Sequence, residues 1–272
     1  MSKGILVDTT KCIGCGACVA ACKVVNGLRL EGPDADKAPS REALSENNLV
    51  TFAQSHGEPG GELSAYALNV VEQRGGVFVR HFCMHCLDPT CASVCPVGAL
   101  RKTAAGPVTY DEDRCMGCRY CMMACPFSIP RYEWKVALPR VKKCTLCAPR
   151  QARGLQPACT AVCPVQASIF GEREELLEEA ASRLKQNPTG YVQHIYGQEE
   201  VGGTSTLYLS AVPFEQLGFR VNVPHDPLPM YTYRVLSKIP NVVTLGGALL
   251  AGIWWITNRR EEVREAEEES KK

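Results

Sequence analysis

From Ile239 to Asn258 the chain runs twenty residues, IPNVVTLGGALLAGIWWITN, without a charge. As a helix that run spans about 30 Å, the thickness of a hydrocarbon core. Trp254 and Trp255 stand near one end, where aromatic rings favour the lipid–water boundary, and Lys238 and Arg259–Arg260 flank the run. The pattern predicts one transmembrane helix over 239–258, since a buried core helix is seldom so long and uncapped at a chain terminus. Gly247/Ala251 and Ala248/Gly252 place small residues one turn apart, a seat for a neighbouring helix. The tail, 259–272, is almost all charge and too polar to fold alone. Its slight excess of arginine over the Arg234/Lys238 flank favours the tail inside. Other apolar segments are short. Gly4–Asp8 and Val77–Phe82 read as strands. Glu172–Gln186 reads as an amphipathic helix with Leu176, Leu177, Ala180, Ala181 and Leu184 on one side, stopped by Asn187–Pro188. Gly202–Gly203 then precedes the β-rich run Thr204–Ala211. Residues 26–74, rich in Gly, Pro and charge, read as an insertion draped over the surface.

Composition sharpens this picture at one point. The 272 residues carry 30 Lys+Arg against 29 Asp+Glu, a balance that argues against a dedicated nucleic-acid binder. Sixteen residues are cysteine, and without them the apolar content is lean, so something bound to the cysteines organises the interior. They form four groups of four: Cys12, Cys15, Cys18, Cys22; Cys83, Cys86, Cys91, Cys95; Cys115, Cys118, Cys121, Cys125; and Cys144, Cys147, Cys159, Cys163. Groups one and three read C-x2-C-x2-C-x3-C, the bacterial [4Fe–4S] spacing, in which three thiolates on a tight loop cap one face of a cubane. Groups two and four widen the loop before the same x3-C ending. Pro96, Pro126 and Pro164 follow the last cysteine of three groups, a residue suited to the first turn of a helix, and group one has Lys23 there. Structural zinc uses paired C-x2-C units, disulfides staple distant loops, and covalent haem needs C-x-x-C-H, which is absent. Four [4Fe–4S] clusters are the best reading.

Each cluster with four thiolates carries about −2, so four shift the net charge from +1 to roughly −7. Residues 131–153 hold Arg131, Lys135, Arg140, Lys142, Lys143, Arg150 and Arg153 against Glu133 alone. That stretch either offsets the cluster charge and raises the potentials or is a solvated basic face. The five histidines, His81 and His85 among them, are not needed as ligands.

Val94–Ala99 and Val162–Ala167 are near-identical, and Ala124–Phe127 is a looser third copy. The repeat suggests duplicated two-cluster ferredoxin modules, in which the fourth cysteine of one group ligates the partner's cluster. Groups two and three are adjacent and form one module; one and four form the other. The expected ligand sets are Cys12, Cys15, Cys18, Cys163; Cys144, Cys147, Cys159, Cys22; Cys83, Cys86, Cys91, Cys125; and Cys115, Cys118, Cys121, Cys95. The fold class is α+β, two ferredoxin-like two-cluster modules with the second inserted in the first, plus one C-terminal transmembrane helix. The divisions are 1–25 with 140–175, the insertion 26–76, the second module 77–139, a helix and β extension 176–238, the transmembrane helix 239–258 and the tail 259–272.

These groups, with His194–Gly197, Gly202–Ser205 and one terminal membrane helix, resemble the four-cluster ferredoxin-like β subunits of membrane-bound respiratory oxidoreductases. The iron–sulfur subunit of hydrogenase-2-type [NiFe] hydrogenases is the nearest likeness, weakly favoured by Leu207–Phe214, and the β subunit of respiratory formate dehydrogenase is next. The resemblance implies an electron-transfer subunit with no substrate chemistry of its own. Its partners would be a catalytic subunit, of [NiFe] hydrogenase or molybdopterin formate dehydrogenase type, and an integral membrane cytochrome b or quinone-reactive subunit. It also implies a single-pass inner-membrane protein with its clusters on the periplasmic side, and the module of groups two and three nearest the membrane. The hydrogenase-type subunit begins with a twin-arginine signal, whereas Met1–Thr10 shows no signal, so export would need a signal-bearing partner or prior processing. A subunit of another molybdopterin oxidoreductase is the alternative; a zinc-stabilised interaction module is the competing class.

Overall fold

The computed structural model describes residues 2–28 and 45–271, and the chain divides into two units, Met1–Leu228 and Pro229–Lys272. In the first unit, β1 (Lys3–Asp8) is the central strand of a three-stranded sheet. β8 (Ser168–Glu172) lies antiparallel on one side and β9 (Thr206–Leu209) parallel on the other. Because side chains alternate along a strand, β1 feeds two cores. Ile5 and Val7 join Val79, Phe82, Tyr196, Tyr208, Phe214 and Leu217. Leu6 faces the other way, onto Leu207, Leu209 and α7 (Arg173–Gln186), whose Leu176 and Ala180 are buried with Leu177, Ala181 and Leu184 packed beside them. Asp8, fully buried at the end of β1, accepts hydrogen bonds from Tyr191 (2.9 Å) and Arg183 of α7 (3.0 Å), tying helix to sheet.

A third core joins α1 (Ala17–Val25), α2 (Glu46–Ser55) and α6 (Ala158–Ala161). Ser45 caps α2 by accepting from the Asn48 N–H at 3.2 Å, and Leu49 and Ala53, one turn apart, are fully buried against Ala17, Ala20, Ala21, Ala158 and Val162. Residues 46–55 are therefore core rather than a drape. Their local polarity hides this, since two buried positions suffice to seat a helix on an alanine-lined surface. Residues 29–44 of the expected insertion lie outside the described residues.

Among the described residues this unit also holds three hairpins. β2 (Val70–Arg74) turns into β3 (Val77–His81) through Gly75–Gly76, both at positive φ as a two-residue hairpin loop demands. β4 (Leu100–Lys102) pairs with β5 (Val108–Tyr110), and β6 (Arg131–Tyr132) with β7 (Val141–Lys142). Between them run the short helices α3 (Thr90–Ser93), α4 (Tyr120–Ala124) and α5 (Ala148–Gln151).

The second unit contains α8 (Leu228–Leu236), which begins at the junction, and α9 (Ile239–Ser270). It is long and apolar enough to cross a membrane, and no α9 residue is buried within the chain. Leu245, Leu249, Leu250, Trp254 and Trp255 all present their side chains outward. The charged tail, expected not to fold alone, continues α9 to Ser270. Glu, Ala and Arg are strong helix formers, and Asn258 and Arg259 each bond Glu262 on the next turn, at 2.9 and 3.1 Å. A helix already nucleated by the apolar run propagates into such a sequence at little cost.

Candidate metal centres

Each cysteine group opens with the same backbone device. The residue before the second cysteine is left-handed: Gly14 (φ 72°), His85 (50°), Gly117 (72°) and Leu146 (53°). Such a reversal aims successive N–H groups into the loop, a concavity that favours an anion. A Cβ at Gly14 would meet the Phe78 ring at 2.5 Å, so there the glycine also answers a close approach. His85 and Leu146 hold the same conformation without glycine, and no sequence signal announces them. Both are buried, and His85 Nδ1 accepts from the Val108 N–H at 3.0 Å, which fixes the ring and its tautomer. Burial, with Lys143 and Lys102 nearby, pushes the His85 pKa well down, so it is a neutral structural histidine.

The third cysteine of every group, Cys18, Cys91, Cys121 and Cys159, is the second residue of a helix: α1, α3, α4 and α6. Cys95, Cys125 and Cys163 follow their helices, whereas Cys22 lies within the longer α1. The prolines after the fourth cysteines were expected to open helices. Each instead takes the second position of a turn closed by the N–H of a left-handed residue onto the cysteine carbonyl. These bonds run from Gly98 to Cys95 (3.2 Å), Ser128 to Cys125 (3.1 Å) and Gln166 to Cys163 (3.3 Å). Proline's fixed φ serves a turn as well as a helix start, and a strand follows each turn.

The tertiary fold gathers the sixteen thiols into four neighbourhoods. Cys12, Cys15 and Cys18 share a cavity with Cys163. Cys22 lines another with Cys144, Cys147 and Cys159. Cys83, Cys86 and Cys91 interact electrostatically with Cys125, and Cys121 with Cys115, Cys118 and Cys95. Antiparallel pairing explains two of these gatherings. β8 leaves Cys163 and β1 approaches Cys12; β4 leaves Cys95 and β5 approaches Cys115. Each pairing brings the end of one group beside the start of another. The neighbourhoods adjoin in one file, through Cys18 and Cys159, then Cys144 and Cys83, then Cys91 and Cys121.

Among the described residues no three His, Cys, Asp or Glu side chains converge closely enough for a single metal ion. Four thiols around one cavity, as at Cys12, Cys15, Cys18 and Cys163, suit a cubane. Polar groups around them also suit an anionic guest. The Leu146 N–H donates to Cys144 Sγ at 3.3 Å and the Ala99 N–H to Cys95 Sγ at 3.2 Å. Without metal, burial pushes Cys18 and Cys91 up to about 12, and Cys22 and Cys86 well above the ordinary thiol value. Iron takes the deprotonated form, so loading these sites releases protons.

The basic stretch divides between the two roles considered for it. Lys143 is buried, donates to the carbonyls of Val108 (2.6 Å) and Cys144 (2.7 Å), and faces Cys91 and Cys125. Arg150 is buried but paired with Glu46 at 2.7 Å, bracing α5 against α2. Lys142 and Arg140 reach Glu112 at the surface. Two cations outside that stretch also face the thiols. Lys102 bonds the His85 carbonyl at 3.3 Å and faces Cys86 and Cys83. Arg80, inside the apolar strand β3, faces Cys12, Cys18, Cys144, Cys147 and Cys159. A lone arginine in an apolar run was the available signal. Of the aromatics after group three, Phe127 packs into the main core, while Tyr132 and Trp134 stack edge to face beneath Arg119.

Comparison with known proteins agrees with this chemistry. Two family profiles, each described as a 4Fe-4S dicluster domain, match residues 11–99 and 76–173. Two dicluster domains and sixteen cysteines make the cofactor four [4Fe–4S] clusters. The hydrogenase-2 operon protein HybA of Escherichia coli O157:H7 is 36% identical over 79% of this chain and 72% of its own length. The iron–sulfur subunit of nitrate-inducible formate dehydrogenase of Escherichia coli K12 is 38% identical over 75% of this chain and 66% of its own. A formate dehydrogenase iron–sulfur subunit of Haemophilus influenzae is 32% identical over 91% and 78%.

Proposed function

Because this chain belongs to the 4Fe-4S dicluster family of hydrogenase and formate dehydrogenase iron–sulfur subunits, we propose that it conducts electrons from a catalytic subunit to a membrane acceptor through four clusters in series. The clusters supply one-electron carriage; the chain supplies their order, spacing and electrostatics. The ligand sets are Cys12, Cys15, Cys18, Cys163; Cys22, Cys144, Cys147, Cys159; Cys83, Cys86, Cys91, Cys125; and Cys95, Cys115, Cys118, Cys121. The second module, 77–139, is inserted between the halves of the first. The catalytic partner, a [NiFe] or molybdopterin subunit, docks at the first module. The cluster of Cys115, Cys118 and Cys121 delivers to a cytochrome b or quinone-reactive subunit. α9 crosses the inner membrane once, with the cluster unit on the periplasmic side.

The observation that carries this reading is the single file of thiol neighbourhoods, each drawing three cysteines from one group and one from another. Two such exchanges per module hold two clusters side by side, and the electrostatic proximity of Cys144 and Cys83 lets one module pass electrons to the next. Cys163→Ser tests it. The variant should alter the cluster of the first group, more than 140 residues away in sequence, and leave that of Cys144 unchanged by electron paramagnetic resonance. If the Cys144 cluster changes instead, the exchange of fourth ligands is wrong.

A further inference from the structure

A buried positive charge is costly without a negative partner. Arg80 sits within β3 at 2% exposure, and none of its three guanidinium nitrogens has a hydrogen-bond partner among the described residues. The guanidinium lies over the Phe82 ring at 4.0 Å. The titratable groups that face it are the thiols of two successive neighbourhoods, Cys12 and Cys18 on one side and Cys144, Cys147 and Cys159 on the other, with Tyr208. Tyr208 spends its hydroxyl hydrogen on the Arg80 carbonyl at 2.7 Å. Arginine stays charged at every physiological pH, so the anion that compensates it must come from the sites themselves.

We propose that Arg80 is the shared counter-charge of the first module, raising the reduction potentials of both clusters between which it lies. The inference rests on the ligand sets proposed above. Reduction makes each site more negative, and a fixed cation beside it stabilises the reduced form more than the oxidised one. The site is buried, so salt screens the effect much less than at the surface. Lys143 stands in a similar relation to Cys91 and Cys125, giving the second module a cation of its own.

The test is a redox titration, followed by electron paramagnetic resonance, of the intact complex carrying Arg80→Met, Arg80→Gln or Arg80→Lys. The two neutral variants should lower the one-electron reduction equilibrium of both first-module clusters at least tenfold, about 59 mV, and leave the second module unmoved. Arg80→Lys should keep most of the native potential. Iron near sixteen per chain verifies that the pockets are filled, and the Cys163→Ser signal tests the ligand sets separately, so failure of that assignment is told apart from an unmoved potential. Native potentials in filled neutral variants, or a Lys variant shifted as far as Met, would overturn the proposal. First-module clusters lost from Met and Gln but kept by Lys would support it, since charge would then be needed for assembly. Loss from all three would assign Arg80 a packing role and refute it.

Discussion

Leu49→Ala should weaken the chain where the first and fourth cysteine groups meet. Leu49 is fully buried beneath α2, against Ala17, Ala20 and Ala21 of α1 and Ala158 of α6. Three carbons leave the core, worth about 0.8 kcal/mol each, or about 2.4 kcal/mol. Most of the cluster around it is alanine, which has no rotamers with which to fill the space, and Val24 and Val162 are stiff at χ1. A residual cavity of about 50 Å³ at roughly 24 cal/mol per Å³ adds about 1.2 kcal/mol. The sum, about 3.6 kcal/mol, lies within the range of measured Leu→Ala losses and corresponds to more than a hundredfold in an opening equilibrium. Because α1 carries Cys18 and Cys22 and α6 carries Cys159, that opening exposes first-module thiols. Anaerobic urea titration followed by cluster absorbance should show the loss in the midpoint, and chelator-driven bleaching should be more than a hundredfold faster for first-module clusters. Leu138→Ala, at an 83% exposed position, should change neither. A loss below about 1 kcal/mol for Leu49→Ala would mean that α2 does not close over α1, and the packing argument would fail.

Other expectations follow from the sites and the terminal helix. Truncation after Lys238 should release the chain from membranes with clusters retained, because no proposed ligand lies beyond Cys163; membrane binding that persists would assign the anchor to a partner. Cys118→Ser should block quinone-linked electron transfer while sparing dye reduction by the catalytic subunit; equal loss of both, in an assembled complex, would reverse the proposed order. Cluster reconstitution into iron-free chain should accelerate with pH. Burial holds Cys18 and Cys91 at about 12, so the thiolate fraction grows about tenfold per unit between pH 7 and 9, and a flat profile would show that these thiols do not limit loading.

Four four-cysteine groups, the repeated Val-Cys-Pro segments, the amphipathic α7 and one long apolar helix are all local in sequence, because spacing and periodicity are properties of neighbouring residues. From them the cluster type and count, the dicluster family and a membrane-competent helix can be read directly. Other features needed the tertiary structure. His85, Leu146, Ser128 and Gln166 adopt left-handed backbone with no glycine to announce it, since packing rather than intrinsic preference holds them there. Leu49 becomes core only because α1 and α6 present alanines to it, and α9 continues through the charged tail only because the preceding run has nucleated it. The neighbours of each fourth cysteine depend on strand pairings such as β1 with β8, between segments more than 150 residues apart. Arg80 shows the same division. Its position in an apolar strand is visible in the sequence, but the five thiols around it come from two distant groups, and only folding brings their charge within reach of one guanidinium.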